Sequence, residues 1–153
     1  MNFINNSLNM DKSKQTTLQN KVIFSGVGIH NGRAVTMSVE PANPNTGIVF
    51  ERIDIKYNNT IKAIINNTET SKLCSKITNA YGVSVSTIEH LMAAFNGLNI
   101  DNALIKLDSS ELPALDGSSE EYTNKINKIG IKTQKENRSF LKILKKISIY
   151  END

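Results

Sequence analysis

Apolar and polar positions alternate along the first two thirds of the chain, then recur at helical spacing in two short stretches. Val22-Ile-Phe-Ser-Gly-Val-Gly-Ile-His30 reads as a strand entering a glycine turn. Ala34-Val-Thr-Met-Ser-Val39 alternates strictly and predicts its antiparallel partner, with Asn31-Gly32 as the hairpin turn. Ile48 to Ile53 and Ile61 to Ile65 predict further strands, whereas Asn66 to Gly82 turns polar and irregular, as a loop or small insert does. The rhythm then changes. Ile88, Leu91, Met92 and Phe95 form the apolar face of a first helix, with Ser86-x-x-Glu89 as a capping box and Gly97 as its stop. Asn102 to Leu107 predicts a strand, and Pro113 to Ser118 a turn into a second helix. That helix has Ser118-x-x-Glu121 as its box, Tyr122, Ile126 and Ile129 as its buried stripe, and Gly130 as its stop. Lys132 to Ser139 reads as a charged connector, and Phe140 to Tyr150 as a last strand in two short pieces.

This order predicts an α+β fold: a two-layer sandwich with two helices packed on one face of a mainly antiparallel sheet. Met1 to roughly Thr16 is polar and Asn-rich with little to bury, which divides the chain into a leader over 1–13 and one domain over 14–150. A chain of 153 residues is long enough for a real core. Its net charge of +3 is mildly basic, but aromatic-interleaved basic patches are absent, so no nucleic-acid partner is expected. No apolar run approaches the roughly 20 residues of a membrane span, and the N-terminus has no hydrophobic signal core. The single cysteine, Cys74, excludes an internal disulfide and points to a reducing, cytoplasmic setting.

Glu89 and His90 carry the most chemistry. A carboxylate that moves protons beside an imidazole that holds zinc is the pairing a metal hydrolase needs. Consecutive helix residues point about 100° apart, so the two could flank one ligand position. Plain structural roles compete: Glu89 could cap its own helix, and His90 could bond a neighbouring carbonyl. His30 belongs at a hairpin tip, where a solvated loop histidine is the simpler reading. Gly26 and Gly28 give only G-x-G, without the strand-to-helix context of a dinucleotide site. Cys74 has no CxxC partner, and Asp116 is first of all a turn residue that bonds the start of the second helix.

Four blocks together carry a resemblance. They are Gln15-Thr-Thr-Leu18 followed by Gly26-Val-Gly-Ile-His-Asn-Gly32; Asn45-Thr-Gly-Ile-Val-Phe50; Val85-Ser-Thr-Ile-Glu-His-Leu91; and Leu112-Pro-Ala-Leu-Asp-Gly-Ser118. In this order and spacing, over roughly Lys14 to Ile149, the chain resembles the N-terminal half of the zinc-dependent UDP-3-O-acyl-N-acetylglucosamine deacetylases of Gram-negative lipid A biosynthesis. The resemblance implies two similar α+β halves with the active site in the cleft between them. It makes His90 a zinc ligand and Glu89 the general base, and it sets His30, Leu73 and Cys74 on the substrate side. It also implies that the other zinc ligands, a histidine and an aspartate, and a general-acid histidine come from a C-terminal domain, in cis or in trans. The implied partner is UDP-3-O-acyl-N-acetylglucosamine, and this chain alone is expected to be inactive. A non-catalytic module binding a UDP-sugar, RNA or protein is the alternative use of such a domain.

Overall fold

The alternation at Ala34–Pro41 is realised directly: Val35, Met37 and Val39 are buried while the residues between them face outward. The computed structural model describes residues 12–150. In chain order its first strands are β1 (Lys14–Leu18), β2 (Val22–Val27), β3 (Ala34–Pro41), β4 (Ile48–Arg52) and β5 (Thr60–Lys62). A 3-10 turn at Ile65–Asn67 leads to β6 (Thr68–Glu69), β7 (Lys76–Thr78) and β8 (Ser84–Ser86). Helix α1 (Glu89–Gly97), strand β9 (Ala103–Leu107), helix α2 (Glu120–Ile129) and strand β10 (Ile131–Asn137) follow.

The central sheet has the order β2-β3-β9-β4-β5, and only the β4–β9 pair is parallel. Its register lines up Val22, Val39, Ile105, Phe50 and Ile61 in one row across all five strands. Paired residues share a face, so this row forms the floor of the core. Leu91, Ala94 and Phe95 of α1 and Tyr122 and Ile126 of α2 cover it. Each large apolar side chain buried there contributes about 1.5–3 kcal/mol. Tyr122 packs its ring 4.9 Å from that of Phe24 and donates its hydroxyl to the Pro113 carbonyl at 2.7 Å. The α+β expectation, a mainly antiparallel sheet under two helices, is the fold observed.

Several local expectations are corrected. Asn66 to Gly82 is not only a loop: β6 and β7 join β8 in a small antiparallel sheet, and Ile77 and Val85 sink into the main core. The polar stretches at the two ends are strands, because β1 pairs with β10. Lys14 to Thr16 therefore belongs to the sheet rather than to a leader, and 132–137 is no connector. Hydrogen bonds replace hydrophobicity there: Thr16 takes the Asp101 carboxylate on its N–H at 2.7 Å, and its hydroxyl donates to the Asn99 carbonyl. Most of the leader expected over 1–13 lies outside the described residues. Phe140 to Tyr150 forms no strand, since nothing pairs with it among the described residues; Leu141, Leu144, Ile149 and Tyr150 stand exposed.

Candidate active site

The chain reaches α1 through an unusual bend. Thr87 has φ of 58°, a left-handed conformation that a β-branched residue adopts only when its surroundings impose it. The predicted capping box is absent. Ser86 lies in β8 and donates its hydroxyl to the Ser110 carbonyl at 3.2 Å, so it cannot reach the helix. No side chain caps α1, and the Glu89 carboxylate turns the other way, accepting the Ser75 N–H on Oε2 at 2.9 Å. The stop differs too: Asn99, with φ of 58°, takes the left-handed position expected near Gly97. Helix α2 likewise lacks the Ser118–Glu121 box; Ser118 Oγ accepts the Glu120 N–H at 3.0 Å, while Glu121 pairs with Lys125. Asp116 accepts the Ser118 N–H at 3.0 Å, as its turn chemistry implied, and Gly130 ends the helix at φ of 87°.

Ser75 is held twice, since its carbonyl also accepts the Ile88 N–H at 3.4 Å. This fastens the turn carrying Leu73 and Cys74 to the start of α1. Leu73, left-handed at φ of 62°, is 92% exposed, and so presents a bare apolar surface at this rim. Cys74 is half-buried with its sulfur 3.1 Å from Ser71 Oγ.

His30 reaches the same region through a residue that sequence reasoning missed. Glu111 is 1% exposed, and its carboxylate accepts three hydrogen bonds. His30 N–H donates to Oε1 at 2.9 Å, Asn31 N–H to Oε2 at 2.8 Å, and Thr87 Oγ1 to Oε1 at 2.9 Å. Burial alone would raise the Glu111 pKa, but these bonds and the charge of His30 outweigh it and hold the carboxyl below its ordinary value of 4.5. The hairpin tip, Glu111 and Thr87 thus form a continuous link that ends two residues before Glu89. The one available signal was a lone acid before the apolar run at Leu112; no local pattern connects it to residues about 80 positions earlier.

Glu89 and His90 are both half-buried at the first turn of α1. Glu89 Oε1 and the His90 ring have no hydrogen-bond partner among the described residues, so both are available to a ligand. Among the described residues no group of three or more His, Cys, Asp and Glu converges as a metal site. The described residues thus form no whole metal site, and His90 offers one imidazole of the kind that zinc binds.

Comparison with known proteins gives the family. The family model described as UDP-3-O-acyl N-acetylglycosamine deacetylase matches residues 15–153. The UDP-3-O-acyl-N-acetylglucosamine deacetylase of Pseudoalteromonas atlantica is 42% identical over 140 residues, covering 92% of this chain and 46% of the relative. Proteins of the same name from Shewanella frigidimarina and Haemophilus influenzae are 40% and 37% identical, covering 45% and 46% of their lengths. The chain thus spans about half the length of the curated relatives it matches. With its α+β fold and the match over residues 15–153, the chain belongs to the UDP-3-O-acyl N-acetylglycosamine deacetylase family.

Proposed function

We propose that residues 14–150 form the N-terminal domain of a zinc-dependent deacetylase that hydrolyses the 2-acetamido group of UDP-3-O-acyl-N-acetylglucosamine in lipid A biosynthesis. In this reading His90 donates one imidazole to zinc, and a C-terminal domain in cis or in trans supplies the remaining ligands. Zinc, when bound, supplies Lewis acidity that polarises the acetamido carbonyl and acidifies water. The protein's own part is proton transfer and orientation. The observation that carries the reading is the Glu89 carboxylate, next to His90 in the chain: Ser75 N–H holds Oε2, and Oε1 has no partner among the described residues. A carboxylate fixed through one oxygen can accept the proton of an attacking water on the other. Leu73, Cys74 and His30 lie on segments tied to the same helix start and serve the substrate side. This chain alone, with one zinc ligand, is inactive on this reading. Replacing Glu89 by Ala in the whole enzyme is expected to leave zinc bound and lower turnover by roughly 100-fold or more. Turnover equal to wild type would remove Glu89 as the base.

A further inference from the structure

We infer that Glu111 is a positioning residue, which sets the turn carrying His30 against the helix start carrying Glu89 and His90 without itself meeting substrate. The inference rests on the deacetylase reading above. Three observations of different kinds support it. The carboxylate is buried, yet every bond it makes goes to one of the two segments that must be aligned: His30 and Asn31 on one side, Thr87 on the other. The backbone on the far side is left-handed at Thr87, a conformation that needs an external hold, and the Thr87 hydroxyl provides the attachment. The near side is shaped for the same carboxylate. A Cβ on Gly28 would lie 2.6 Å from Glu111 Oε2 and 2.5 Å from Asn31 Oδ1, so only glycine lets the turn close over it.

The main chain around Glu111 is fixed as well. Ser86 N–H donates to the Ser110 carbonyl at 3.0 Å, and Leu112 N–H donates to the Ser86 carbonyl at 3.2 Å. The carboxylate therefore projects from a segment that cannot slide along β8. It acts as a rigid bracket between two loops whose sequence separation gives them no local reason to meet. A ligand-bearing helix held this way presents its imidazole and carboxylate in one orientation, and outer residues of this kind are worth roughly 10–100-fold in metal affinity or activity.

The test uses the whole enzyme with Glu111→Gln, Thr87→Val and Thr87→Ser, reading zinc affinity by competition with a chelator, kcat, and thermal stability. Glutamine keeps the volume but sets an NH2 donor against an N–H or O–H donor. Glu111→Gln and Thr87→Val are expected to lower both zinc affinity and kcat by roughly 10–100-fold. Thr87→Ser, which keeps the hydroxyl, is expected to restore both to near wild type. Folded Glu111→Gln and Thr87→Val proteins with wild-type zinc affinity and kcat, their losses confined to thermal stability, would overturn the inference. So would a Thr87→Ser protein as impaired as Thr87→Val. If Glu111→Gln does not fold, the two Thr87 variants decide the matter. Glu89→Ala is measured alongside. Lost turnover there with intact Thr87→Val and Glu111→Gln defeats the positioning role alone, whereas wild-type turnover in Glu89→Ala defeats the deacetylase reading and this role with it.

Discussion

Two buried polar networks join distant parts of this domain, and they are built from different chemistry. Around Asn102 the network is made of neutral amides. Asn102 donates to Gln15 Oε1 at 2.9 Å and to Gln134 Oε1 at 2.7 Å, and accepts the Gly47 N–H at 2.8 Å. Gln15 then donates to Asn45, and Gln134 to the Ala42 carbonyl. At the start of α1 the network centres on one carboxylate, Glu111, which accepts from three donors and donates to none. Amides satisfy one another in both directions and carry no charge, so they hold architecture at any pH. A buried carboxylate must overcome its desolvation and requires donors aimed at it from separate segments. The amide network lies among strands that carry no candidate chemistry, whereas the charged one lies among His30, Thr87 and the approach to Glu89 and His90. Around Asn102 neutral amides supply cohesion, and at Glu111 a charge aligns two loops beside the candidate site.

Breaking the amide network should have the largest effect on stability. Asn102→Ala leaves the Gln134 side-chain carbonyl and the Gly47 N–H without their partner and removes one of the two donors to Gln15 Oε1, a loss of roughly 2–6 kcal/mol at about 1–3 kcal/mol per orphaned group. Urea unfolding checks this, with a lower midpoint and an unchanged slope expected. Gly28→Ala crowds the carboxylate network instead and should destabilise by about 1–3 kcal/mol, the range for overpacking a tight site. Acid separates the two networks more sharply. Glu111 has a folded-state pKa below its ordinary 4.5, so its contribution is present above that value and lost as pH falls below it through the folded value. Glu111→Gln should therefore show a shallower loss of stability below pH 4.5, whereas Asn102→Ala should keep the wild-type slope. The smallest effect belongs to Glu40 on the outer sheet face. Burial there is outweighed by bonds from Lys21, Lys106 and Ser38, which bring its pKa down to about 2. Glu40→Gln should cost about 1 kcal/mol or less at neutral pH, since its partners remain partly exposed, and that loss should vanish as pH falls from 4.5 towards 2.

The sequence made the central sheet and the helix faces legible because their burial follows simple periods. Val35, Met37 and Val39 alternate, and Leu91, Phe95, Tyr122 and Ile126 recur with the helix turn. The edges were illegible for a physical reason: Gln15, Thr16 and Thr17 are buried through hydrogen bonds, which hydropathy does not register. The capping boxes had the right residue types, but longer-range bonds outcompeted the local ones, as Ser110 took Ser86 and Ser75 took Glu89. Phe140 to Tyr150 has a strand's pattern, but a strand also needs a partner, and none pairs with it among the described residues. Of the candidate site, Glu89 and His90 were visible as a dipeptide and their surroundings were not. Glu111 and Thr87 become neighbours only in the folded chain.

The most direct test concerns His90. Zinc content of the whole enzyme should be measured after equilibration with buffered zinc, for wild type and His90→Ala, with folding of both verified by circular dichroism. A folded His90→Ala enzyme that has lost most of its zinc is the expected result, because a catalytic site with one of three protein ligands removed holds the metal poorly. A folded His90→Ala enzyme with full zinc content would contradict the assignment of this helix start as part of the metal site.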